Sequence, residues 1–248
     1  MSDRIAAKLL AEFIGTFALI FIGAGAAAVI GGGAGLAGVA AIAFAHGLTV
    51  MAFAFAYGTV SGGHFNPSVT VAVLAAGAMR VGEAAGYVVS QFAGGILGGL
   101  LLRAVLGGTG TSLGTPDLAH NLGLGATTVT VTSWAGYVIE AVLGFFLSTV
   151  VLSTAVAGRV GNLAPLAIGV TLIFNIIMGG PLTGAAFNPA RALGPMIATG
   201  NFNDAWLYLT APIVGAIVAA IVHMGLARLA QERMAAAKSG STAQTPAE

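Results

Sequence analysis

The chain has 248 residues, 57% hydrophobic and 7% charged, with a formal net charge of +1. Soluble domains carry about 25% charged residues, so this composition marks an integral membrane protein, and the small net charge argues against a nucleic acid or acidic partner. There are no cysteines, which excludes disulfides, thiolate chemistry and cysteine metal sites.

The first apolar run, 6–30, follows Arg4 and Lys8. It has the outline of a signal peptide ending at Ala26-Ala27-Ala28, but Glu12 within the run and the spans beyond it favour a first transmembrane helix. Further spans are expected at 36–57, 82–106, 134–156, 163–178 and 205–228. The fifth is short for a bilayer, which takes about 20 residues, but the apolar stretch extends it at both ends. Thirty-eight glycines suit close helix packing in lipid.

Between spans two and three lies Gly62-Gly63-His64-Phe65-Asn66-Pro67-Ser68, and between spans five and six Gly184-Ala185-Ala186-Phe187-Asn188-Pro189-Ala190-Arg191. Asn is a favoured N-cap and Pro a favoured first helical residue, so each stretch predicts a helix start. The apolar sequence after each is too short to span, which predicts two half-helices. Residues 107–133 form a polar Gly/Thr-rich connection, and 229–248 read as a disordered tail.

The halves repeat each other. Gly47-x-Thr49 begins 19 residues before Asn66, and Gly169-x-Thr171 begins 19 before Asn188; Glu12 and Glu140 are each followed five residues later by Phe. Three spans per half put the second copy in the opposite sense. The expected fold is therefore an all-α membrane protein: six transmembrane helices plus two re-entrant half-helices in an inverted 3+3 repeat. It forms one domain, with repeat one at about 6–106, repeat two at about 134–228 and the functional site at their meeting point. Arg4, Lys8, Arg80, Arg159, Arg228, Arg233 and Lys238 fall on one side, while 31–35 and 107–133 carry no Lys or Arg. Both termini are thus expected in the cytoplasm, with Arg103 the one exception to the pattern.

Irregular backbone at membrane depth is tolerated where it lines a wet cavity. Carbonyls of Gly62, Gly63, His64, Gly184 and Ala186 can form a ladder of acceptors, and the Asn66 and Asn188 amides can donate at its centre. Both half-helices aim an N-terminus, worth about half a positive charge, at that centre. A neutral polar molecule can cross such a pore, a cation meets a positive field, and a water held by both amides cannot relay a proton. Glu12 and Glu140 are expected to buttress the two loops.

The paired Asn-Pro stretches, Ala11-Glu12-Phe13-x-Gly15-Thr16 and Asn188-Pro189-Ala190-Arg191 resemble the aquaporin (major intrinsic protein) family over roughly residues 5–230. Ser68 departs from the usual alanine of the first motif but leaves Asn66 and Pro67 intact. The resemblance implies a four-residue outer constriction, which falls on His46, Ile176, Ala185 and Arg191. His-Ile-Ala-Arg is similar to the filters of plant tonoplast intrinsic proteins, water channels that also pass ammonia, urea or other small neutral solutes. Glycerol facilitators resemble a different pattern, with Trp and Phe in the filter and Asp after the arginine, where this chain has Ala192.

The expected function is a passive water channel that excludes ions and protons, with small neutral solutes as further cargo. It is non-enzymatic, with no cofactor and no metal. The alternatives are a broader neutral-solute facilitator for urea or glycerol, an ion-coupled secondary transporter using Glu12 and Glu140, and a purely structural membrane protein. The resemblance implies a homotetramer in a cell membrane, plasma or inner.

Overall fold

The computed structural model describes residues 2–31, 35–108 and 110–242. Six helices are long and apolar enough to cross a membrane: Arg4–Ile30, Ala37–Ser61, Val81–Val105, Ser133–Val156, Gly161–Thr183 and Ala205–Met234. The first is α1 (Ser2–Ala18), a π-helical turn (Leu19–Ala24) and α2 (Gly25–Ile30) in succession. Then follow α3 (Gly35–Ser61), half-helix α4 (Pro67–Ala75) and α5 (Val81–Val105). The second half has α6 (Ser133–Val151), running into a π turn (Leu152–Val156), then α7 (Ala164–Thr183), half-helix α8 (Pro189–Thr199) and α9 (Ala205–Thr242).

The fifth span extends beyond its core as expected, while the tail and the 107–133 connection differ from the sequence reading. Helix α7 continues past 178 to Thr183, although Gly179-Gly180-Pro181 has the look of a stop. A Cβ on Gly179 would lie 2.6 Å from Leu143 Cδ1, so this glycine serves close packing and does not break the helix. The chain leaves α7 only at Gly184, whose φ is 77° and whose N–H caps Gly180 O. Helix α9 runs through Thr242, so 229–242 of the expected disordered tail is helical; Leu, Ala, Gln, Glu, Arg and Met at 229–234 are all strong helix formers. The remainder of that tail lies outside the described residues. The connection 107–133 holds a hairpin, β1 (Leu122–Leu124) with β2 (Thr127–Val129), turned at Gly125 with φ 62°.

Small residues bring the helices together. A Cβ on Gly47 of α3 would sit 2.6 Å from Gly169 O on α7, and one on Gly169 would sit 2.7 Å from Gly47 O. These residues occupy equivalent places in the two repeats, so the halves meet where each copy's glycine touches the other's backbone. The same device recurs between α5 and α1 and between α9 and α6. Gly94 packs on Phe13 O and Gly215 on Ala141 O, each beside the buried glutamate of its own half. Lipid gives helices no hydrophobic reason to associate, so backbone approach and dispersion must hold them. Many large apolar side chains point outward, among them Phe44, Phe55, Trp134, Val138, Phe146, Phe174 and Ile221.

Arg103, the exception to the charge pattern, has a structural role. It lies in the last turn of α5 and donates from Nη1 to Ala198 O at 2.9 Å, near the C-terminus of α8. A cation there complements the negative helix end.

Candidate functional site

The half-helices begin as their caps dictate. Asn66 is extended (φ −157°) and its Oδ1 accepts from Ser68 N at 2.8 Å, with Pro67 at the first helical position. Asn188 is extended (φ −154°) and its Oδ1 accepts from Ala190 N at 3.0 Å and Arg191 N at 3.2 Å. Each cap also reaches across to the other repeat. Asn66 Nδ2 donates to Phe187 O at 3.0 Å, and Asn188 Nδ2 donates to Phe65 O at 2.9 Å. A carboxamide has two N–H donors, so each asparagine uses one on this strap and keeps one for the lumen. Ser68 Oγ lies 2.8 Å from Asn66 Oδ1 and 3.3 Å from Phe187 O, so the hydroxyl joins the same strap.

To offer their carbonyls in this way, Phe65 (φ 49°) and Phe187 (φ 31°) adopt left-handed backbone. Such residues cost about 1–3 kcal/mol each and persist only when their surroundings over-determine them. The two glutamates do this. Glu12, fully buried, accepts from Ser61 Oγ (2.6 Å), His64 N (3.0 Å), Phe65 N (2.7 Å) and Gln91 Nε2 (2.8 Å). Glu140, also fully buried, accepts from Thr183 Oγ1 (2.6 Å), Ala186 N (3.0 Å) and Phe187 N. Tyr87 Oη bonds Ser61 O at 2.7 Å and Tyr208 Oη bonds Thr183 O at 2.8 Å. The two loops are thus held alike, except that Gln91 adds a donor to the first and links it to Thr70.

Two cavities meet end to end. An inner lumen offers about 20 Å³ to the centres of water-sized spheres and is lined by His46, Asn66, Asn188, Arg191, Ile176 and Ala185, with Leu19, Val50, Val69, Leu147, Val151, Ile168 and Leu172 as apolar walls. A wider vestibule of about 560 Å³ by the same measure lies beside the 107–133 connection and the ends of α2 and α3. His46, Ile176 and Arg191 line both, which places them at the junction of wide and narrow. Roughly 10–15 Å³ of such space admits one water, so the lumen is about one water wide at most and has no room for bulk solvent.

At this junction the polar groups have fixed senses. His46 is 2% exposed and its Nδ1 sits 2.9 Å from Ile42 O. A carbonyl only accepts, so Nδ1 carries a proton, while Nε2 is buried and has no partner among the described residues. Arg191 is 4% exposed; Nη1 donates to Gly114 O at 2.9 Å, and Nε has no partner among the described residues. The mouth thus combines the guanidinium of Arg191 and the imidazole of His46 with the apolar surface of Ile176 and Ala185.

The structure brings together His46, Ile176, Ala185, Arg191 and the two asparagines around one lumen, while Pro67 and Pro189 are buried at the first positions of α4 and α8 and line neither cavity. Of the expected carbonyl ladder, Gly63, His64 and Ala186 line the lumen and Gly184 lines the vestibule, while Gly62 borders neither. Gly62 instead supplies the left-handed turn (φ 93°) that ends α3. Sequence reasoning missed Phe65 and Phe187 as the carbonyls engaging the asparagines. It also missed Ser61, Thr183, Tyr87, Tyr208, Gln91 and Gly114. The repeat offset would have found four of these: Ser61 and Thr183 are 122 residues apart, like the two asparagines, and Tyr87 and Tyr208 are 121 apart. Nothing in the sequence marks Gly114. Among the described residues no cluster of His, Asp or Glu has the geometry of a metal site.

The sequence model of the family described as Major intrinsic protein matches residues 2–223. Nodulin-26 of Glycine max is 38% identical over 217 residues, covering 87% of this chain and 76% of the relative. Aquaporin TIP4-4 of Zea mays is 39% identical, covering 88% and 85%. Glycerol uptake facilitator protein-like 6 of Lactiplantibacillus plantarum is 38% identical, covering 86% and 94%. Among solved structures, the aquaglyceroporin of Plasmodium falciparum shares the fold with a TM-score of 0.73 at 22% identity, over 87% of this chain and 94% of its own.

Proposed function

The chain belongs to the major intrinsic protein (aquaporin) family and is a membrane channel for passive transport, and from that premise we propose that it conducts water, excludes ions and protons, and passes ammonia or other small neutral solutes. The observation that carries this reading is the narrow lumen of about 20 Å³ bordered by the Asn66 and Asn188 amides, with Arg191 at its mouth. Water in file there gives its lone pairs to the two amides, which interrupts a proton wire. The guanidinium and the two half-helix N-termini oppose a cation. Glu12 and Glu140 hold the two loops from outside the lumen, and Phe65 and Phe187, which border it, hold the asparagine amides through their carbonyls.

His46, Ile176, Ala185 and Arg191 form the proposed filter. A neutral His46, whose Nε2 accepts, together with the donors of Arg191 suits a small molecule that both donates and accepts, as water and ammonia do. A second reading, a broader facilitator of urea or glycerol, is favoured by the apolar Ile176 and the small Ala185, and by the likeness to a relative named as a glycerol uptake facilitator. The proposed assembly is a homotetramer in a plasma or inner membrane, both termini cytoplasmic, with the 107–133 vestibule facing outward. No cofactor takes part.

Stopped-flow osmotic shrinkage of proteoliposomes tests the function. Water flux with a low activation energy, independent of any coupling ion, is expected. Saturation or ion dependence would return the chain to the transporter reading. A panel of ammonia, urea and glycerol ranks the two solute readings.

A further inference from the structure

We propose that Gly23 is a specificity-determining position: its missing side chain makes room for the His46 imidazole and so sets the aperture of the channel. The inference rests on the reading of His46 as part of the constriction. A Cβ built on Gly23 would lie 2.5 Å from His46 Cδ2 and 2.8 Å from both Cγ and Nε2. Real Cβ contacts are not that short, so any side chain at 23 displaces the ring. The ring has no free retreat, because Nδ1 is tied to Ile42 O at 2.9 Å. Room lies toward the lumen, where Ile176 and Arg191 form the rest of the mouth.

The local helix geometry explains why a glycine falls there. Gly23 sits in the π-helical turn Leu19–Ala24, where one extra residue per turn shifts the faces of the helix. Leu19, at the start of the turn, lines the lumen; Gly23 backs His46; and Ala24, the next residue, backs the other polar side of the mouth. A Cβ on Gly114 would meet Ala24 O at 2.6 Å, and Gly114 O is the acceptor that holds Arg191. One turn of the first membrane helix thus supports both polar groups of the constriction, although neither Gly23 nor Ala24 borders the lumen itself. An alanine at 23 pushes the imidazole inward, which narrows the passage.

The test is a double-substitution cycle in proteoliposomes: wild type, Gly23→Ala, His46→Ala and the pair, with permeability normalised to reconstituted channel. Gly23→Ala is expected to lower water permeability at least about fivefold, the factor that a barrier raised by about 1 kcal/mol at the constriction would give. In the His46→Ala background the same change is expected to do nothing, because the clashing ring is gone. An unchanged Gly23→Ala channel overturns the proposal, and so does an equal loss in both backgrounds, which would show a defect of the helix alone. If Gly23→Ala does not fold, recovery of folded channel in the pair supports the steric account, and failure of both overturns it. His46→Ala separates this inference from its premise. If that substitution alone leaves water and solute permeability untouched, the constriction reading has failed; if it alters them while Gly23→Ala does not, only the proposal for Gly23 has failed.

Discussion

Arg191 is tethered to Gly114: its Nη1 donates at 2.9 Å to the carbonyl of a residue 77 positions earlier, in the connection between the repeats. The half-helix that carries the arginine comes from the second repeat, but its aim is fixed by a loop belonging to neither. Gly114 itself requires left-handed backbone (φ 70°), and Pro116 and Asp117 close against Gly184 just beyond it. The guanidinium is held at the mouth of the lumen and is not free to swing into the vestibule.

That placement makes Arg191→Val informative. A unit charge about 4 Å from a passing ion contributes about 4 kcal/mol at an effective dielectric of 20. Its loss is expected to raise proton or cation leak at least about tenfold, with the half-helix ends supplying the barrier that remains. Proton flux in pH-jump experiments on proteoliposomes measures it. Ion exclusion that matches wild type would show that the asparagines and helix ends suffice.

His46→Phe removes Nε2 and fills its space with a ring of greater bulk. Ammonia permeability relative to water is expected to fall roughly two- to tenfold, the span of one net hydrogen bond. If the ratio stays put, the imidazole does not touch the solute.

The two glutamates are predicted to be unequal. Glu12→Gln turns an NH2 toward groups that donate in the native structure, and Glu12 faces four of them against three at Glu140. Each donor left unmet costs about 1–3 kcal/mol. Both substitutions are expected to lower the apparent Tm in detergent, Glu12→Gln by more. The reverse order would mean that Gln91 relieves the first loop by rotating.

Ser68→Ala is expected to be mild. Asn66 Oδ1 keeps its bond from Ser68 N, and Asn66 Nδ2 keeps Phe187 O. The loss is about 0.5–1.5 kcal/mol for one hydroxyl bond, with water permeability within twofold of wild type. A collapse of flux would assign Ser68 a part in the central gate.

Much of this architecture is legible without coordinates, because membrane physics leaves few alternatives. Apolar runs near 20 residues must be helices, as no other single segment satisfies its backbone in lipid. Asn66-Pro67 and Asn188-Pro189 fix helix starts by local capping alone, and the structure has α4 and α8 beginning at those prolines. The ends of α7 and α9 were less legible. Gly179-Gly180-Pro181 is locally a breaker, and only the approach of Leu143 reveals that it packs.

The sequence by itself determined the spans, the repeat and the half-helix starts, since each follows from hydropathy, capping or a constant offset along one chain, and the resemblance to a known family pointed to His46, Ile176, Ala185 and Arg191. Only the tertiary structure decided how those residues are aimed. Asn66 bonds the loop of the other repeat, Arg191 bonds the connection, and His46 is seated by the absence of a side chain at Gly23. The direction of a polar side chain is set by partners that share its space but lie anywhere from 23 to 121 residues away, and no local pattern carries that distance.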